Sequence, residues 1–329
     1  MYIARNKKTG SYRTMLKRSL LIISAVAAML TCQAPGLLAQ EATQETASAT
    51  PRNAMIDSID KGNQMMIAFM EHIKIGDVKG ARKIANDMIA PAKDYKDSDT
   101  VEYKTFYSQM EMEYYLLKNK DNKKEVKWVQ EPIADGYYLL AVLDFQEKLY
   151  KDALEHIQNC VSWNPVRSAY YIERGFLYLF SGDEQNIVDA QVAYEKAIEL
   201  ADSSEDIAAG LRGIASVMNA KGNLPVAVAA LVVSKEYDSE NPDADEQILY
   251  IKREYSDFDC NMTSKEARKL LKENNIQCDY SHDHVEILVK MASKLDKPED
   301  KEMAKILLQQ ATFLEPNNTD LKNKLKALK

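Results

Sequence analysis

Residues 134–167 read ADGYYLLAVLDFQEKLYKDALEHIQNCVSWNPVR, and this stretch decides the fold. Apolar residues recur in it with the 3.6-residue period of a helix, in two blocks. The small residues Ala141, Ala153 and Cys160 are interleaved with the large Tyr137, Leu140 and Ile157. Two antiparallel helices approach closely only where small side chains stand at their crossing points, and large ones fill the space around those crossings. Asn164-Pro165 ends the second block, because proline restricts the residue before it and cannot continue the hydrogen-bond ladder. The spacing predicts a helical hairpin in which Cys160 is a buried, inert thiol.

The pattern recurs. From Ser168, Tyr171, Gly175, Tyr178 and Gly182-Asp183 fall in register, while Ala190, Tyr194 and Ala197 are displaced by three residues. That displacement implies an insertion between Glu184 and Val188. A third unit, Ala208 to Asn241, carries Leu211, Ile214, Ala215, Gly222-Asn223-Leu224, Ala227, Leu231 and Ser234. A separate unit, Val285 to Asn318, carries Leu288, Ala292, Leu295, Ala304, Leu308, Ala311 and Pro316. A fainter one, Met65 to Ala92, shares Gly76-Asp77-Val78 and Ala81, but has Phe69 and His72 where Gly and Tyr are expected.

The offsets resemble the 34-residue tetratricopeptide repeat, W-x₂-L-G-x₂-Y, then A-x₃-F, then P. Asp144 departs from it, with Phe145 one position after the expected aromatic, and Arg174-Gly175 is a variant of the Leu-Gly pair. The resemblance covers 134–241 and 285–318, 142 of 329 residues. It implies an all-α, right-handed solenoid of antiparallel helix pairs. The organisation read from the sequence is 1–39 export signal, 40–54 flexible linker and 55–133 helical region with the degenerate unit. Three repeats at 134–242, a helical interruption at 243–284 and a last repeat with its cap at 285–329 complete it.

In the interruption, Ser264 to Glu273 reads as a short amphipathic helix capped by Thr263 or Ser264. Leu321, Leu325 and Leu328 share one helical face and would cover the last repeat, as an open stack requires. Thr100 to Lys118 reads as a Tyr/Met-rich helix packed on the first clear repeat, and 118–127 as a solvated, charge-rich loop.

The formal charge of −7 averages two unlike pieces. Residues 1–39 carry six basic residues and no acid, which leaves 37 basic against 50 acidic side chains, net −13, in the rest. A body that acidic argues against nucleic acid as partner and admits a basic one. The basic start leads into the apolar run Leu20 to Leu30 and then small residues up to Ala39, the layout of a secretory signal. Eleven apolar residues rise only about 16 Å as a helix, too short for a permanent membrane span. Export to the periplasm, or secretion, is the expectation, with Gln40 as the first mature residue. The alternative is lipidation at Cys32, which would make the chain an outer-membrane-anchored helical-repeat lipoprotein of a glycan-uptake or assembly system.

Standard catalytic signatures such as G-x-x-x-x-G-K, H-E-x-x-H and G-x-S-x-G do not occur. The reading is therefore a non-enzymatic scaffold needing no cofactor. Residues 278–284, CDYSHDH, hold four metal-ligand types in seven positions. Ser281 reads as a helix N-cap, however, which turns His282 and His284 to different sides and leaves Asp283 to the helix dipole, so no metal is assigned. A thiol or metal enzyme centred on Cys278, His282 and His284 is the remaining rival. Cys260 and Cys278 flank the short helix, and export permits a disulfide between them.

Of 18 tyrosines, three pairs (Tyr114-Tyr115, Tyr137-Tyr138, Tyr170-Tyr171) should each turn one ring away from the packing seam. In the repeat family the first helices line a concave groove. The resemblance places Tyr138, Val142, Phe145, Ile172, Phe176, Phe180, Arg212 and Asn219 at its offsets. They are the expected binding residues for a protein or peptide partner, with packing between repeats as the competing role.

Overall fold

The computed structural model describes residues 51–181, 184–295, 297 and 300–328. The export signal and Cys32 lie outside them. Fourteen α-helices and one two-stranded sheet make up the fold among these residues, which is all-α in class. Chain contacts divide it into two compact units, 51–107 with 121–165, and 108–120 with 166–328. No described helix is long and apolar enough to cross a membrane.

The first unit holds α1 (Pro51–Lys74), α2 (Val78–Ile89), a 3₁₀ turn (Ala90–Asp94), β1 (Val101–Lys104), β2 (Glu125–Trp128), α4 (Ile133–Gln146) and α5 (Tyr150–Trp163). Helix α4 packs against both α2 and α5. Ala141, Ala153, Ile157 and Cys160 are buried at the α4/α5 seam, and the Cys160 thiol donates to the Ala134 carbonyl at 3.2 Å. The 100–127 region corrects two expectations. Val101–Lys104, within the segment expected to be helical, is a strand paired in parallel with Glu125–Trp128, most of which lies in the segment expected to be a loop. Val101, Tyr103, Val126 and Trp128 are of the β-branched and aromatic kind that suits a pleated surface. Only Gln109–Lys118 (α3) is helical, and it belongs to the second unit, packed on α12 (His282–Ser293).

The second unit contains α3, α6 (Ser168–Ser181), α7 (Glu184–Leu200), α8 (Ser204–Ala220), α9 (Leu224–Tyr237), α10 (Asp243–Glu254), α11 (Ser264–Glu273), α12, α13 (Lys301–Leu314) and α14 (Thr319–Ala327). The pairs α6/α7, α8/α9 and α12/α13 are each joined in sequence and packed along each other, and α8 also packs on α7. Tyr194 of α7, itself 4% exposed, fills the space beside two glycines. A Cβ on Gly175 of α6 would lie 2.8 Å from its ring, and one on Gly213 of α8 only 2.2 Å away. Helix α11 opens with a full capping box between Thr263 and Glu266. Leu321 of α14 is buried against Leu288, Leu308 and Ala311, with Leu325 and Leu328 packed beside it, so the last hairpin has its cover.

Three turns that join the two helices of a hairpin share one closure, which the end of α11 at Asn275 (φ 56°) also has. After α1, Gly76 N–H donates to Ile73 O at 3.0 Å and Asp77 N–H to His72 O at 2.8 Å. After α4, Lys148 and Leu149 repeat the pair at 3.0 and 2.8 Å, and after α8 so do Gly222 and Asn223. The closing residue is left-handed each time, φ 74° at Gly76, 65° at Lys148 and 79° at Gly222, the helix-ending conformation that spares orphan carbonyls. Lysine alone of the three carries a Cβ there, which costs about 1 kcal/mol. Lys148→Gly should raise stability by about 1 kcal/mol in urea denaturation. A loss of stability would show that the Lys148 side chain has a supporting role.

Candidate functional site

In the first unit, Asp144 is the residue that departs from the repeat pattern, and it is 1% exposed. Arg82 of α2 reaches its carboxylate at 2.8 Å and His156 of α5 at 2.7 Å, so one buried acid pins three helices. Such a charge is tolerated in the interior only because it is paired on both oxygens.

The second unit holds a small polar cleft lined by Met110, Glu111, Tyr114, Val166, Arg167, Ser168, Leu200, Asp202, Asp206 and His284. About 10 Å³ of it is open to the centre of a water-sized group, room for about one. Helix α3 forms one wall. Ser108 caps it by accepting from Glu111 N–H at 3.2 Å, and Glu111 receives Arg167 Nη1 at 3.2 Å. Tyr114 stacks on His284 with ring centroids 4.6 Å apart. Lys118 binds Glu199 at 3.3 Å and Asp283, whose carboxyl the Lys118 hydrogen bond holds below the usual range. Glu113 meets Lys290 and Lys294 at 3.4 and 3.3 Å.

The opposite wall is the first turn of α8. Ser203 caps it by accepting from Asp206 N–H at 3.2 Å, and acids there suit the positive end of a helix. Protein crowded around Asp206 pushes its carboxyl up to about 6 against the pull of Arg167, with Asp202 and Glu205 adding to the rise. Asp202 keeps an exposed face at the mouth of this concave site and is raised in the same direction. On the floor, His284 is 4% exposed and its Nδ1 has no hydrogen-bond partner. Burial drives its pKa down to about 4, and the ring is neutral at pH 7. The hydroxyl of Tyr280 is also buried without a partner, and its proton is held on by burial and by Tyr237, Glu205, Asp202 and Asp206.

No protein-family model and no curated protein matches the chain.

The residues expected to line a groove are placed differently from an open wall. Tyr138, Val142, Phe176, Phe180 and Asn219 are buried, and Phe145, Ile172 and Arg212 are half-buried. Phe176 and Phe180 pack on each other with centroids 4.4 Å apart, so burial within the chain already satisfies these rings. Arg212 is given to Asp238 at 3.1 Å, with both side chains largely covered. Both rings of Tyr114-Tyr115 and of Tyr170-Tyr171 are buried, because α3 and α6 are enclosed on more than one side. Only Tyr137 of the three pairs keeps a half-exposed ring beside a buried neighbour.

Ser281 stands at the N-cap of α12, but its side chain makes no capping bond and instead meets the Tyr114 hydroxyl. His282 points outward to Glu315 and Glu286 while His284 is buried, so the two do diverge. Cys278 lies against Arg268, whose Nη1 is 3.7 Å from its sulfur, and Asp279. Among the described residues no three His, Cys, Asp or Glu side chains converge as metal ligands. Cys260 and Cys278 are free, buried thiols whose pKa burial raises, which leaves them mostly protonated at pH 7. The sequence reading missed Glu111, Arg167, Asp202 and Asp206. A signal for His284 was present, since it precedes Val285 and sits four residues before Leu288 on the apolar face of its helix.

Proposed function

We propose that this chain is an exported, non-catalytic scaffold of tetratricopeptide type that binds a protein or peptide partner. The observation that carries the reading is the small-residue seam shared by the α4/α5, α6/α7 and α8/α9 hairpins. Successive hairpins built on one seam pattern support a repeat array, whose stability comes from neighbouring seams and whose outer faces are left to recognition. Of the apolar residues at the family's groove offsets, Phe145 and Ile172 keep solvent-facing surface a partner can reach.

A photoreactive phenylalanine analogue at position 145 or 172 of the exported protein should yield a discrete crosslinked adduct in the cell envelope. The same analogue at buried position 138 should not. Absence of adducts at both 145 and 172 would overturn the binding reading. Mass spectrometry of the mature N-terminus should find Gln40. A lipid-modified N-terminus at Cys32 would establish the anchored alternative in its place.

A further inference from the structure

The charges of the cleft do not balance. Glu111, Asp202 and Asp206 line it with one guanidinium, Arg167, whose Nη1 is already given to Glu111 at 3.2 Å, and Glu205 adds its charge beside Asp206. Lys118 brings no help, being tied to Glu199 and Asp283. Two polar atoms beside these acids, His284 Nδ1 and Tyr280 Oη, are buried without hydrogen-bond partners. A buried polar atom left without a partner is costly, and His284, which lines the cavity, brings one to it, so the cavity asks for an occupant.

Chemistry narrows what that occupant is. Four carboxylates repel an anion. A divalent metal needs several oxygen or nitrogen ligands converging on one point, and among the described residues no such group of three exists. The cavity admits one water-sized group, which is smaller than a guanidinium or a quaternary ammonium. A neutral imidazole nitrogen is able to accept a hydrogen bond, and carboxylates at a mouth with low-dielectric walls attract positive charge.

We propose that the cleft binds a primary alkylammonium group, with Asp202 and Asp206 taking its charge at the mouth and His284 Nδ1 accepting a hydrogen bond on the floor. A lysine side chain and a small free amine share this chemistry. The site names the group received and rests on the cleft alone, so it can fail while the scaffold reading stands, and the reverse.

The test is calorimetric titration of the full mature chain at pH 7.5 with two probes, n-butylammonium and Nα-acetyl-lysine methylamide. The Nε-acetylated lysine amide serves as control. Saturable binding of either ammonium probe is expected, with butylammonium alone identifying a small amine as the source and both probes a lysine side chain. Asp206→Asn and Asp202→Asn should each weaken binding about tenfold, the loss of a charge-assisted hydrogen bond. The His284 ring nitrogens should shift in ¹⁵N spectra as the probe saturates. Because the asparagine variants are isosteric, their helical circular dichroism should match the parent. No saturable binding, equal binding of the acetylated control, or unchanged affinity in both variants would overturn the proposal. An unmoved His284 resonance at saturation would do the same.

Discussion

Truncating Tyr194 to alanine should destabilise the second unit by about 4 kcal/mol, the scale for emptying an aromatic site in a packed core. Its ring lies so near Gly175 and Gly213 that a Cβ on either would fall within 2.8 Å of it. Glycines cannot move side chains into the void, and α6 and α8 are each held by further contacts, so the site collapses poorly. The measurement is native-state hydrogen exchange of amides in α6, α7 and α8, which reads this unit without assuming that the whole chain unfolds in one step. Gly213→Ala should also destabilise, through overpacking, by about 1–3 kcal/mol. In the double variant the two losses should not add, because the alanine methyl then occupies part of the space the ring has left. A loss below about 1 kcal/mol for Tyr194→Ala would mean that the ring is not the wedge described.

Replacing His284 by phenylalanine should remove an acid sensitivity worth about 3 kcal/mol between pH 7 and pH 4. The folded-state value of about 4 lies below the ordinary 6.5, chiefly through burial, with Lys118 lowering it and Asp283 and Glu199 opposing. A depressed pKa means that the folded chain resists the proton. The stability His284 contributes is therefore present above pH 6.5 and is lost as pH falls from there through about 4. Asp206, raised to about 6, works in the other sense: its contribution is full below 3.8 and lost as pH rises through 6. Both proteins carry Asp206, so its effect cancels in the difference between their stability curves. Phenylalanine keeps the stack on Tyr114 and removes the orphaned Nδ1, so the variant should be at least as stable at pH 7. Parallel curves from pH 7 to 4 would refute the assignment of a neutral, buried imidazole.

What could be read in advance followed from how locally each feature is encoded. The α4/α5 seam rests on Ala141, Ala153 and Cys160, whose spacing fixes a face within 20 residues. The Thr263 cap and the Leu321 cover are likewise short-range. The strand pair was hidden because Val101–Lys104 is four residues long and its partner lies beyond an intervening helix. The cleft was hidden for a related reason: Glu111, Arg167, Asp206 and His284 each look ordinary where they stand, as first-turn acids or repeat boundaries. Only the fold brings them to one place. Asp144 was visible as an irregularity, but nothing adjacent announced Arg82 and His156 as its partners.

The crossing of α3 into the second unit sets a clock on biosynthesis. Its residue Glu113 and the Lys290 it pairs with are 177 positions apart in the chain. At a translation rate of about 5–20 residues per second, α3 waits roughly 9–35 s for α12 to be made. Throughout that interval Tyr114 and Glu111 have neither His284 nor its helix to rest on, long after the first unit's own helices have emerged. A chain cut after residue 165 would keep α3 and never meet its need, and one begun at 166 would lack the wall of its cleft.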